Sequence, residues 1–138
     1  MKTVLCVLIP ASLLLAGCGG DETKTSMTPV TLTASQQRAV SRFPIDARAV
    51  CLSYDDLMAG ELGNADQASA KYQKAITPYI ESVDDYVALL RSSPDAKTPT
   101  GTVRDSAVDF VSDTTLDCDP LKEDRVKVEL VLRNLPQP

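Results

Sequence analysis

Asp105, Asp109, Asp113 and Asp117 recur every four residues, Asp119 follows them, and no Lys or Arg interrupts the stretch. On a helix, residues four apart are neighbours turned by about 40°, so these carboxylates would wind along the face opposite Phe110 as an acidic ridge. Like charges at this spacing oppose helix formation. Three uses are open to such a ridge: an ordinary solvated face, a dock for a basic partner, or a divalent-cation site. Calcium wants about six to eight converging oxygens and a straight helix edge spreads them apart, so no metal site is assigned.

Tyr72, Tyr79 and Tyr86 repeat every seven residues and share one helical face. They fit either core packing or an exposed binding edge, since tyrosine joins a large apolar ring to a polar tip. Asp55-Asp56 and Asp84-Asp85 suggest carboxylate pairs. Adjacent helical residues point about 100° apart, however, so neither doublet converges for acid and base work. The chain has no His and contains no G-x-S-x-G, P-loop, G-x-G-x-x-G or metal-ligand spacing. No catalytic residue is assigned, and a carboxylate-based hydrolase is the residual enzymatic alternative.

The elements that must position these residues are helical. Thr33-Ala34-Ser35-Gln36 has the form of a capping box, and Val40, Phe43, Ala47, Val50, Tyr54 and Leu57 follow at helical spacing. That predicts a first helix to about Leu62, stopped by Gly63 and bent or restarted at Pro44. A second, kinked helix is expected over 65–91, in phase across Pro78, with Gly63-Asn64 making a tight antiparallel turn before it. Ser92 to Gly101 reads as a loop. Thr102 caps a third helix running through Val103, Ala107, Phe110, Val111 and Thr114 to Cys118. Asp119-Pro120 opens a fourth to about Asn134, although alternation over Val126, Val128, Leu130 and Leu132 leaves a strand open there, with Val30 to Thr33 as its partner. The fold class expected is all-α: a small up-down helical bundle of three to four helices with one disulfide. The first three helices should form a triangle with the fourth alongside.

The chain has 138 residues, 14 of them Lys or Arg and 19 Asp or Glu, for a net charge of −5. This length suits a single domain, and 43% hydrophobic with 24% charged residues fits a globular one. An acidic chain is a poor match for phosphate backbones, so no nucleic acid is expected as partner.

Lys2, the apolar run Val4 to Ala16 and small residues after it have the form of an export signal. Thirteen residues cover roughly 20 Å as a helix, short of a bilayer core of about 30 Å. Leu15-Ala16-Gly17-Cys18 resembles the lipobox of bacterial lipoproteins. The resemblance covers residues 1–20 and implies cleavage before Cys18, acylation of its thiol and amino group, and, with Gly19 following, outer-membrane sorting in a host with two membranes. Two or more acyl chains anchor stably. The expected layout is a cleaved signal over 1–17, a lipidated Cys18 with a flexible tether over 18–33, and a helical-bundle domain over 34–138. No cofactor is expected beyond the covalent lipid on Cys18. Cys6 leaves with the signal, so Cys51 and Cys118 remain in an oxidising compartment and should pair.

These features predict a lipid-anchored envelope protein whose domain faces periplasm or exterior and binds another envelope or exported protein, a basic one if the acidic ridge is the dock. An inhibitor or immunity protein against an exported toxin or hydrolase is the first version. The alternatives are a structural accessory of an envelope, conjugation or surface-exclusion complex and a divalent-cation-binding lipoprotein. Candidate contact residues are Asp105, Asp109, Asp113, Asp117, Tyr72, Tyr79 and Tyr86.

Overall fold

The computed structural model describes residues 30–60 and 65–137. The export signal, Cys18 and the Gly63-Asn64 turn lie outside them. Helix α1 (Ala34–Ala59) starts at the expected capping box: Thr33 accepts the Gln36 N–H through its hydroxyl, and the Gln36 side chain accepts the Thr33 N–H at 2.9 Å. The helix passes through Pro44 as one element. It stops three residues before the expected Gly63, because Gly60 takes the left-handed conformation (φ 64°) that ends a helix and that costs any residue with a Cβ.

Helix α2 (Ala65–Ser92) likewise continues through Pro78. It runs antiparallel to α1, with Tyr72 against Tyr54, and Tyr79 and Tyr86 against Phe43. The segment expected as a plain loop contains two short antiparallel strands, β1 (Lys97–Thr98) and β2 (Gly101–Thr102). Thr31 makes a parallel bridge to Lys97, and Leu32, expected to belong to the tether, is buried in the core. The folded body therefore begins by Thr31 rather than after Thr33.

Helix α3 (Val103–Ser112) ends well short of Cys118. Asp113 turns extended (ψ 107°) and uses its own carboxylate to cap a 3-10 turn, Thr114–Leu116, which a second one, Asp119–Leu121, follows. Aspartate competes for backbone N–H groups, and like charges four apart penalise the helix that would carry them, so the chain leaves the helix where the charges accumulate. Helix α4 (Lys122–Asn134) settles the C-terminal segment as helix. Val128 and Val131 are buried while Val126 and Leu130 are exposed, a helical pattern of burial and not an alternating one.

Phe43 lies near Phe110 and Arg48 near Asp113, so α1 and α3 run parallel. Tyr79 reaches Asp124 and Asp84 reaches Lys127, so α2 and α4 do too. The result is an up-down-up-down bundle. Its packing departs from the expected triangle, because α1 packs chiefly on α2 and α3 chiefly on α4. The two 3-10 turns cross back over α1 between these hairpins. The core is centred on Phe43, whose ring stacks on Tyr86 at 4.0 Å between centroids and contacts Phe110 at 4.7 Å. Cys51 and Cys118 form a disulfide across Cα atoms 5.5 Å apart. Cys118 stands immediately before the second 3-10 turn and is not a residue of α3.

Candidate functional site

The expected acidic ridge does not exist as a continuous helix face. Asp105 is the N3 residue of the α3 capping box, where Oδ2 accepts both the N–H and the hydroxyl of Thr102 at 2.8 Å. Those bonds, the hydroxyl's foremost, hold its carboxyl below the usual carboxylate range. Asp113 accepts the Thr115 hydroxyl at 2.6 Å and its N–H at 2.9 Å, and pairs with Arg48 at 3.2 Å; these interactions lower its pKa in the same way. Asp119 is held down by Lys122 at 2.5 Å and by the Tyr54 hydroxyl at 3.1 Å. Asp117 sits past the first 3-10 turn, on the side facing Lys122 and Arg125. Among the described residues no group of three or more His, Cys, Asp or Glu converges to hold a metal.

The tyrosine repeat divides as well. Tyr79 and Tyr86 are 1% and 0% exposed, which removes them as contact residues and assigns them to the core. Their hydroxyls are satisfied by Asp124 at 3.0 Å and Ser106 at 3.2 Å. Burial pushes the Tyr86 phenol up to about 12 and the Tyr79 phenol further still. Tyr72 is half-buried against Tyr54.

What the fold does bring together is a cleft between α1 and α3. It consists of two adjoining hollows of about 370 and about 410 Å³ that share Pro44, Arg48, Asp113 and Leu116. Thr98, Pro99 and Thr100 of the β-hairpin wall one end, and Ile45, Ala49 and Leu52 of α1 line the other. Ile45 is 68% and Leu52 59% exposed, two aliphatic side chains two turns apart on one helix face that border the same hollow. Asp109 and Asp113 stand on the α3 side. Arg48 is engaged by Asp113, whereas among the described residues the Asp109 carboxylate has no salt-bridge or hydrogen-bond partner. The cleft exists because Pro44 and the early end of α3 leave α1 and α3 in sparse contact.

No family model matches this chain, and no curated protein or solved structure does either.

A second apolar groove of about 570 Å³ runs between α2 and α4, lined among others by Val126, Leu130, Val131 and Leu135. Its charges have both signs, Arg91 and Lys127 against Glu123. Asp109 and Asp113 were visible as candidates in the sequence, but Arg48, Ile45 and Leu52 were not singled out. The available signal was the pair Ile45 and Leu52, apolar and seven apart, yet outside the seam Val40-Phe43-Ala47-Val50 that the core occupies.

Proposed function

We propose that this chain is a lipid-anchored extracytoplasmic binding module, tethered through acylated Cys18 and engaging another envelope or exported protein through its disulfide-tied bundle. The observation that carries the binding half of this reading is the α1–α3 cleft, where Ile45 and Leu52 stand in solvent in one hollow and Asp109, unpaired among the described residues, lines the adjoining one. Isolated exposed aliphatics are ordinary, but two bordering one concavity with charged residues around it have the composition of a contact surface. The anchoring half rests on the lipobox-like residues Leu15 to Cys18. No helix among the described residues is long and apolar enough to cross a membrane. An inhibitor or immunity protein acting on an exported toxin or hydrolase is the favoured version, since a rigid, stapled body suits occlusion of a target.

The α2–α4 groove favours a second reading, a structural accessory docked through an apolar face on an envelope, conjugation or surface-exclusion assembly. Salt separates the two: binding that uses the carboxylates weakens steeply as ionic strength rises, and binding through the apolar groove does not.

The test joins both halves. Full-length protein carrying a photo-crosslinking residue at position 52 should give a discrete adduct in cells and fractionate with membranes, and Cys18→Ala should abolish the membrane fractionation. Unaltered fractionation of Cys18→Ala overturns the anchor, and the absence of any adduct from positions 52 and 130 overturns the binding role.

A further inference from the structure

The α1–α3 cleft has a specific polarity that states what it would accept. Its lining is mostly apolar: Pro44 and the exposed Ile45 and Leu52 from α1, with the buried Leu116 at its base. Its rim is acidic. Asp109 lines the hollow nearer the β-hairpin, and Asp55 stands two turns beyond Arg48 on the same side of α1, just outside the lining; among the described residues neither carboxylate has a cationic partner. Arg48, the cation that lines the cleft, is already neutralised by Asp113. The stretch from Asp105 to Asp119 supplies no other positive charge. An anionic or purely apolar occupant would leave Asp109 facing low-dielectric or like-charged surroundings, which costs free energy. A basic one relieves it and can also compete with Arg48 for Asp113.

The α2–α4 groove lacks this character, because Arg91 and Lys127 line it together with Glu123, and Lys127 is held by Asp84. Charge therefore distinguishes the two surfaces although both are apolar within.

We infer that the α1–α3 cleft seats a basic amphipathic helix of a partner protein, its aliphatic side chains on the exposed Ile45 and Leu52 and its Lys or Arg residues on Asp109 and Asp55. This rests on the binding-module reading and adds the surface and the chemistry of the partner. Helix-in-groove recognition reads residues at i, i+3, i+4 and i+7, and Ile45 and Leu52 are seven apart, about 10 Å along α1, matching two turns of a docked helix.

The probe is a fluorescein-labelled amphipathic helical peptide of about 18 Leu and Lys residues, titrated into the purified full-length protein and read by anisotropy. Saturable binding is expected, weakened by roughly tenfold or more in Leu52→Asp and in Asp109→Lys and unaltered in Ile80→Asp, a substitution on α2 away from both grooves. All three positions are exposed, and circular dichroism verifies that each variant is folded. The matching Leu/Glu peptide should bind at least about tenfold more weakly. Equal binding by wild type and Leu52→Asp, or equal affinity for the Lys and Glu peptides, overturns the assignment. Loss of binding in Leu130→Asp instead moves the occupant to the α2–α4 groove, which overturns this inference while leaving the binding role intact. No binding of either peptide overturns the inference, and joined to an absence of crosslinks in cells it overturns the binding role too.

Discussion

The aspartates of the 105–119 stretch differ by what each carboxylate accepts, and that difference is measurable. Asp105, Asp113 and Asp119 are held below the ordinary value of 3.8 by hydrogen bonds to Thr102, Thr115 and Lys122 respectively. A carboxyl whose folded pKa is depressed contributes stability that is present above its unfolded pKa and lost as pH falls through the folded one. Urea midpoints should therefore be flat near neutrality and drop on acidification below about pH 4, with Asp113→Asn showing a smaller acid loss from an already lower plateau. Tyrosine gives the opposite sign. Tyr86 is raised from 10.0 to about 12 and Tyr79 beyond it, so their contribution is complete below the unfolded pKa and lost as pH climbs through the folded values. Absorbance titration should show Tyr79 and Tyr86 ionising only together with unfolding, and ionisation of all four tyrosines before any change in circular dichroism would contradict their burial.

At the scale of elements, the boundaries fixed by neighbouring residues were legible and those fixed at a distance were not. Thr33 with Gln36 and Thr102 with Asp105 are capping boxes that can be seen in four consecutive residues. The C-terminus of α3 is different. Its last carbonyls are taken by Arg125 of α4, which donates to Val111 O at 2.5 Å and Asp113 O at 3.1 Å, a partnership no local pattern announces. The carboxylates four apart suggested one long helix, but the competition between backbone and Asp113 side chain decided otherwise. The site was half legible for the same reason: Asp109 and Asp113 belong to a visible spacing, whereas Ile45, Arg48 and Leu52 become a surface only once α1 and α3 are set side by side. Arg125→Ala should cost about 1–3 kcal/mol, since it strands the Val111 carbonyl at a helix end and leaves the Asp113 carbonyl with the Leu116 N–H alone, and loss of less than about 0.5 kcal/mol in urea unfolding would argue against that role. Gly101→Ala should be at least as damaging. Gly101 has φ 148°, and a Cβ there would lie 2.8 Å from Asp105 Oδ2, so the substitution strains the backbone and pushes away the carboxylate that caps α3. A loss of about 1–3 kcal/mol is expected, with faster amide exchange in the first turn of α3.

For the whole molecule, the disulfide reinforces the part of the core that lies beyond its aromatic centre. The Phe43 cluster locks α1, α2 and α3 together near the end where the chain enters the fold. Beyond it, α1 continues to Ala59, and the 3-10 turns lie against that stretch with little regular structure of their own. Cys51 and Cys118 tie this outer region across a separation of 67 residues, for which the chain-entropy model gives about 4 kcal/mol. That is a large fraction of the stability of a domain this size. Its effect on the native state should nevertheless be local. Replacing both cysteines by alanine is expected to lower the unfolding free energy by about 2–4 kcal/mol while far-UV circular dichroism keeps its helical form. Hydrogen exchange should then rise first over 113–121, where the 3-10 turns lose their tether, and last around Phe43, Tyr86 and Phe110, whose packing the substitution leaves untouched. Since Asp113 and Leu116 belong to the loosened segment, the α1–α3 cleft would lose a wall, and affinity for a basic helix should fall in the same variant even though none of the contacting side chains has been changed. Uniform acceleration of exchange across all four helices would instead mean that the bundle is one cooperative unit with the disulfide at its centre.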